Sequence, residues 1–157
     1  MTPAKTMLGL ALALSAGLAS AQERPPYGNP INVDQAKKIA GGALAESKRN
    51  NWRMAISIVD NHGFPVYFER MEDTQTASIQ IALDKAKSAA MFRRPTKVFE
   101  DGVAKGRVAL LGLTGAMPIE GGLPIMVDGR VIGGIGVSGA NSDQDAAAAQ
   151  AGLNALK

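Results

Sequence analysis

The sequence lacks cysteine altogether and contains a single histidine, His62. Without cysteine, the chain forms no disulfide, binds no metal through thiolates and carries no c-type haem attachment motif. With one imidazole, a metal site built from several histidines of one chain is excluded as well. Aromatic residues make up only 4% of the sequence. The chain therefore offers none of the common cysteine-based or multi-histidine sites.

Long hydrophobic runs are also scarce, and the one that stands out lies at the N-terminus. Lys5 precedes a short apolar run over residues 7–18, and Ala19-Ser20-Ala21 follows it as an A-x-A cleavage site. This order is typical of a secretory signal peptide, and the run is too short to span a bilayer well. We expect removal of residues 1–21, a periplasmic or secreted mature protein, and no membrane span after cleavage.

Charge of one sign is not concentrated anywhere in the chain. The net charge is +3, and loss of Lys5 with the leader lowers it to +2. Nucleic-acid binding requires a clustered basic footprint, whereas the basic residues here are scattered along the sequence. The sequence therefore predicts no nucleic-acid partner.

The remaining sequence predicts a short leader and one domain. Residues 22–31 contain three prolines and read as a flexible leader, and residues 32–157 form the domain. Asn32 is a suitable N-cap for a first helix, and Asp128-Gly129 between two apolar runs is a strong hairpin signal. The predicted order is a helix over 32–49, strands over 54–59 and 66–71, a helix from Thr74 or Thr76 to Pro95, a short helix over 96–105, strands over 123–127 and 130–137, and a final helix over 146–156 that Ser142 and Asp145 cap.

Two hairpins with helices between them indicate an α/β domain of the α+β type with a mostly antiparallel sheet. The second hairpin ends in GGIGVSG, Gly133 to Gly139, which also spells G-x-G-x-x-G. A dinucleotide fold requires a further strand after such glycines, and here the chain ends too soon, so no nucleotide is predicted. One strand face, with Ile132, Gly134, Gly136 and Ser138, loses its side chains toward its end. This bareness favours tight packing of a neighbouring helix, such as the alanine-rich C-terminal one, over room for a flat ligand.

Several polar residues are candidates for ligand binding. His62 lies in a turn, where a histidine is either solvated or, if a metal macrocycle binds, the obvious axial ligand. Ser78 and Lys85 share a helix face, and Arg70 lies in the first hairpin. The two cations, Lys85 and Arg70, are either solvated or bind an anionic ligand. Ser138 lacks the spacing of a nucleophile elbow and no catalytic triad is indicated. We therefore assign no catalytic residue.

Four phrases carry a resemblance to a known family: IVDNHGFPVYFERM, SIQIALDKAKSAAMFRRPT, GGLPIMVDGRVIGGIGVSGA and DQDAAAAQAGL. Their order and spacing resemble the haem-binding GlcG/HbpS-like family, which is related to the C-terminal domain of PduO-type cobalamin proteins. The resemblance spans residues 33–156. The matching positions are Asp60, Gly63, Arg70, Met71, Ser78, Lys85, Ala86, Thr96, Gly121, Gly122, Pro124, Gly133, Gly136, Ser138, Gly139 and Asp145.

The resemblance implies a profilin-like, GlcG-like domain with a central antiparallel sheet of about five strands flanked by helices. It also implies a homo-oligomer and a small-molecule ligand, with haem or a corrinoid as the possible cofactor. His62 departs from the family, in which that turn position is commonly small or polar. It is either a ligand special to this chain or a surface residue.

Three functional hypotheses follow. The first is an exported protein that binds or senses haem or a related tetrapyrrole, with His62 or Thr96 as the iron ligand and Arg70 or Lys85 at the propionates. The second is an enzyme acting on a small organic acid or metabolite through Lys85, Arg70 and Ser138. The third is an accessory structural module of the periplasm. A binding protein is favoured over an enzyme, and its predicted ligand-binding residues are His62, Arg70, Ser78, Lys85, Thr96, Gly122 and Ser138.

Overall fold

The computed structural model describes residues 23–157, so the predicted signal peptide lies outside the described residues. Mixed α and β elements form one domain, as the sequence predicts. The elements are α1 (Val33–Arg49), β1 (Ala55–Asp60), β2 (Pro65–Arg70), α2 (Ala77–Phe92), α3 (Lys97–Ala104), a 3₁₀ helix (Val108–Gly112), β3 (Gly122–Val127), β4 (Arg130–Ser138) and α4 (Ser142–Asn154). The 3₁₀ helix lies in a segment that the sequence leaves irregular.

The sheet has four named strands in the order β2-β1-β4-β3, and every neighbouring pair is antiparallel. The expectation of about five strands is therefore slightly too high. The two predicted hairpins are present, and β1 joins them by pairing with β4 from Ala55↔Ser138 to Asp60↔Gly133. The two central strands are consequently β1 and β4, and both are almost fully buried.

The leader differs from the flexible segment that the sequence predicts, because residues 26–31 are hydrogen-bonded to the sheet. Tyr27 forms a parallel bridge with Val131. Gly28 N–H donates to the Val131 carbonyl at 2.9 Å, and the Asn61 amide donates to the Gly28 carbonyl at 2.6 Å. The leader thus pairs with β4 at Val131, just beyond the point where the pairing of β1 with β4 ends. It occupies the place of a short fifth strand.

Some of the turns and helix caps agree with those predicted from the local sequence, and others do not. Asp128 and Gly129 both have positive φ, 49° and 72°, as a two-residue hairpin turn requires. The Asn32 side chain accepts a hydrogen bond from Gln35 N–H at 2.9 Å and caps α1 as predicted. Thr76, one of the two predicted helix starts, lies at the N-cap of α2, but its side chain makes no cap hydrogen bond.

The start of α4 also differs from the prediction. Asn141 is its N-cap and forms a capping box with Gln144, in place of Ser142 with Asp145. Asp145 is buried, and its carboxylate is used elsewhere in the fold. The S-x-x-D pattern therefore placed the cap one residue late and assigned the wrong side chains, and the helix begins at Ser142 instead of at residue 146.

The bare face of β4 is covered by α2, which identifies the neighbour that the glycines accommodate. A Cβ on Gly136 would lie 2.0 Å from the Ala82 carbonyl oxygen, and a Cβ on Gly134 would lie 2.4 Å from that of Ala86. The packing interpretation is thus supported, but the helix is α2 and not the C-terminal one. The opposite face of β4 packs against α1 and α4, where Ile135 contacts Gly152. The sheet is therefore sandwiched between two helical layers.

Within residues 23–157, no helix is long and apolar enough to cross a membrane.

We predict that Gly136→Ala destabilises the protein by about 1–3 kcal/mol or more, because the added methyl group overlaps the α2 backbone. Gly41 on α1 is the matched control, since a Cβ there meets nothing within 4 Å. Gly41→Ala should stabilise the helix by about 0.5–1 kcal/mol. Urea unfolding of both variants checks this, and equal stability of Gly136→Ala and wild type would contradict the assigned packing.

Candidate functional site

The most deeply buried charged side chains form an ion pair beneath the glycine-rich hairpin. Lys85 on α2 is 1% exposed and Asp145 on α4 is 2% exposed. The Lys85 ammonium donates to Asp145 Oδ2 at 2.7 Å and to the Val137 carbonyl of β4 at 3.0 Å. Gly121, with φ +120°, lies against the pair, since a Cβ there would be 2.8 Å from Lys85 Nζ. The pair therefore ties together α2, β4 and α4, which lie in three different layers.

Burial raises the pKa of the Asp145 carboxyl above its ordinary value, while Lys85 and the Ala140 N–H oppose the shift. A carboxyl whose pKa is higher in the folded than in the unfolded state stabilises the fold at low pH, and that contribution is lost as the pH rises through the folded pKa. The charge of Lys85 limits this loss near neutral pH because it favours the ionised carboxylate.

Two further polar contacts lie at the same interface between β4, β3 and α2. The Ser138 hydroxyl donates to the Ser78 hydroxyl at 3.1 Å. Thr96 and Gly122 bind each other reciprocally, because Thr96 N–H donates to the Gly122 carbonyl and Gly122 N–H donates to Thr96 Oγ1, both at 3.0 Å. These groups therefore have partners inside the protein.

The structure brings five of the seven predicted site residues together, but it does so inside the fold. The buried residues are Ser78, Lys85, Thr96, Gly122 and Ser138, whereas Arg70 and His62 are exposed. Arg70 and Ser138 both align with Ala55 across the sheet, two strands apart. The ligand-binding roles of all seven residues stay predictions, and of the seven, His62 and Arg70 are the two that are accessible without rearrangement of the core.

His62 lies at the tip of the β1–β2 hairpin, where the backbone is fixed independently of the imidazole. The Asp60 carboxylate accepts hydrogen bonds from the N–H groups of His62 and Phe64, both at 2.9 Å. This Asx-type turn closes the loop through residue 60 and leaves the side chain at position 62 in solvent. The imidazole is thus displayed on a well-defined turn.

A groove lies on α2 beside this turn. It has a volume of 330 Å³ and is lined by Asp84, Lys87, Met91, Gly115, Ala116 and Met117. The turn reaches the groove through Gly63, because a Cβ on Gly63 would lie 3.2 Å from Met91 Sδ and 3.7 Å from Lys87 Cγ. A surface with two methionines, the Lys87 cation and the Asp84 carboxylate therefore adjoins the only imidazole of the sequence.

The α2 groove is lined by none of the seven predicted residues, and the same holds for a larger groove on the other side of the sheet. A groove of 470 Å³ lies between β3 and the C-terminal end of α4, with Met126, Leu153 and Leu156 in its wall. Across residues 23–157, no three His, Cys, Asp or Glu side chains cluster to hold a metal ion.

The sequence interpretation missed a group of arginines at the end of α2. Arg93 and Arg94 are adjacent in the chain, and the fold brings Arg24 and Arg107 to the same region. Adjacent basic residues were the only local signal, since the other two members come from the leader and the segment after α3.

We predict that Lys85→Met destabilises the protein by about 3–5 kcal/mol at pH 7, because Asp145 is left buried without its cation. The loss should be smaller at pH 4, because burial and the missing cation both raise the pKa of the Asp145 carboxyl and so favour its neutral form in the folded variant. Urea unfolding at both pH values measures this, with Lys105→Met, a change at an exposed residue, as control. An equal loss at pH 4 and pH 7 would show that the pair is not the cause.

Comparisons with known proteins identify relatives over most of the chain. The family model described as "Haem degrading protein HbpS-like" matches residues 31–154. Protein GlcG of Escherichia coli (strain K12) is 36% identical over 108 residues, which cover 69% of this chain and 81% of GlcG.

Two solved structures are similar in both fold and sequence. The crystal structure of HbpS has a TM-score of 0.77 and 26% identity, and the match covers 83% of this chain and 92% of HbpS. The crystal structure of a PduOC:heme complex has a TM-score of 0.73 and 27% identity, and the match covers 80% of this chain and 94% of that one. The chain therefore belongs to the HbpS-like family.

Proposed function

We propose that the protein is an exported, homo-oligomeric binding protein for haem or a related tetrapyrrole, with a role in binding or sensing. Two observations support the family-level part, since the chain belongs to the HbpS-like family and a structural relative was crystallised as a haem complex. Export is supported by the signal-like residues 1–21. Oligomer formation is supported by the resemblance alone.

The observation that carries the proposal is the position of His62. The imidazole is exposed on a fixed turn, next to Gly63, which contacts Met91 and Lys87 at the edge of the α2 groove. Imidazole is a common axial ligand of haem iron, and methionine side chains pack well against large apolar surfaces. The donor set at this edge of the protein therefore fits a metal tetrapyrrole.

Each residue has a distinct task in this proposal. His62 would hold the iron, Met91 and Met117 would contact the macrocycle, and Lys87 would bind an anionic substituent. When bound, haem would supply an iron centre whose reactivity depends on the axial ligand and on the polarity around it. A groove of 330 Å³ is near the lower end of the size of small-molecule sites, about 300–1,000 Å³. Part of the macrocycle would therefore extend beyond the groove, where a second subunit would cover it.

Thr96 is the second predicted iron ligand, and its environment favours it less. The side chain is fully buried and its hydroxyl accepts the Gly122 N–H at 3.0 Å. Iron ligation by Thr96 would break this bond and require the β3 end to move. The enzyme hypothesis has a similar difficulty, because Lys85 and Ser138 are buried and already paired. The accessory-module hypothesis finds support in the glycine packing alone.

We predict that the mature protein binds haemin saturably with a shift of the Soret band, and that His62→Ala weakens this binding at least about tenfold, or about 1.4 kcal/mol. Thr96→Val should leave the shifted band in place. Absorbance titration with haemin measures both.

Lys38→Ala is the control for the titration, because Lys38 is exposed on α1, which packs on the opposite face of the sheet from α2. It should bind haemin as wild type does. Absence of a saturable shift in wild type would contradict the proposed function, and a loss on Thr96→Val alone would move the iron ligand from His62 to Thr96.

We also predict that the mature chain begins at Gln22 when the full sequence is expressed in a bacterium with a secretory pathway. Mass spectrometry of the intact protein from the periplasm or medium measures this. A protein that keeps Met1 and stays in the cytoplasm would contradict export.

A further inference from the structure

A separate groove, which we call the arginine groove, lies at the C-terminal end of α2, between α3 and the 3₁₀ helix. Its volume is 330 Å³. The rings of Phe92 and Phe99 pack edge to face in its wall, with centroids 5.1 Å apart. Leu110 closes it against α3, since a Cβ on Gly102 would lie 2.5 Å from Leu110 Cδ1. The wall formed by these residues is therefore apolar and partly aromatic.

Three arginines surround this apolar surface, and they come from three separate parts of the chain. Arg24 belongs to the leader, Arg94 follows α2 and Arg107 follows α3. The Arg94 guanidinium lies over the Phe99 ring, 5.7 Å from its centroid. No acidic residue is among the residues that line the groove. An anion in this groove would therefore meet three guanidinium groups without a competing carboxylate.

The arginines also lack neutralising partners nearby. Among residues 23–157, no ion pair within 4 Å involves Arg24, Arg94 or Arg107. Glu23 lines an adjoining groove of 190 Å³ with Arg93 and Arg94 but is not paired with them. Burial lowers the pKa of Arg94, and the positive charges of the neighbouring arginines lower it further. Like charges held together beside apolar surface are a cost to the fold that a bound anion would offset.

We infer that this groove is a binding site for a carboxylate carried on an apolar body, which Arg94 and Arg107 hold at its charged end. Arginine suits this task because its planar guanidinium binds carboxylates through two parallel hydrogen bonds. The apolar body would lie on the accessible parts of Phe92, Leu110 and Leu113, with the buried Phe99 behind them. Two sources have this chemistry, the propionates of a tetrapyrrole and a free apolar organic acid.

The site stands on the arginines and the apolar surface, and it does not require iron or His62. Phe92 nevertheless lies between the arginine groove and the α2 groove. Gly115 lines the α2 groove, and a Cβ on Gly115 would lie 3.9 Å from Phe92 Cε2. A tetrapyrrole that contacts His62 would thus have its propionates within reach of a neighbouring cationic site, whereas a small acid would occupy the arginine groove alone.

The experiment measures binding of three probes to the mature protein by fluorescence or calorimetry: iron-free protoporphyrin IX, its dimethyl ester and 3-phenylpropionate. Wild type should bind at least one of the two free acids, protoporphyrin IX or 3-phenylpropionate. If protoporphyrin binds, its dimethyl ester should bind at least about tenfold more weakly. Arg94→Gln/Arg107→Gln should weaken binding of the free acid at least about tenfold, since each lost charged hydrogen bond typically costs that much or more. Lys105→Gln is the matched control, because it removes one exposed positive charge near the groove without lining it.

Arg107→Gln alone is the second variant, because Arg107 is exposed and its replacement spares the packing of Arg94 on Phe99. It should weaken binding several-fold. Binding of protoporphyrin through the arginines identifies a tetrapyrrole source, and binding of phenylpropionate alone identifies a free acid. Equal binding of acid and ester, equal binding by wild type and both arginine variants, or no binding of either acid would overturn the inference.

The haemin titration separates this inference from the proposed function. If haemin binds through His62 while the arginine variants bind every free acid as wild type does, the carboxylate site is wrong and haem binding stands. If the acids bind through the arginines while haemin gives no Soret shift, the carboxylate site stands and haem binding is wrong.

Discussion

The structure depends on the direct contact between the backbone of α2 and the glycines of β4. Side chains are missing at Gly134 and Gly136, so the carbonyl groups of Ala82 and Ala86 approach the strand itself. A helix normally stands off a sheet by the thickness of the side chains between them. Here the closest approach is set by backbone atoms, and the position of α2 is correspondingly fixed. Both the buried ion pair and the surface grooves depend on that position.

The same contact excludes a ligand from the glycine-rich face of β4. Because α2 covers the bare strand face, a flat ligand has no place on β4, and Lys85 reaches Asp145 instead of solvent. The outward side of α2 and its C-terminal end carry the two proposed binding sites. His62, Met91 and the arginine groove all lie along this helix, which a rigid core supports from below. Binding residues on loops around a rigid scaffold are the common arrangement in proteins.

The sequence was informative wherever a local rule decides the conformation. Asp128-Gly129 has one favourable solution as a turn, and Asn32 caps α1 through a residue three positions away. Side-chain alternation along β4 predicted a close neighbour on one face but did not identify it, because alternation describes one strand and the neighbour comes from elsewhere in the chain. Asp145 was misjudged for the same reason, since a cap and a buried ion partner look alike until Lys85 is placed beside it. The arginine groove depends on Arg24 and Arg107, which only the fold brings together.

The turn that carries His62 shows how such a fold can change its ligand without changing its core. Asp60 holds the loop through backbone N–H groups, and Gly63 supplies the positive φ that the turn requires, 89°. Neither contact uses the side chain at position 62, which projects into solvent. A family pattern with small or polar residues there is therefore compatible with the same turn, and a histidine would provide the proposed iron ligand at little cost to stability. Loss of the imidazole should consequently affect the bound group and not the fold, unlike changes at Gly136 or Lys85, where every atom beside the residue belongs to the protein interior.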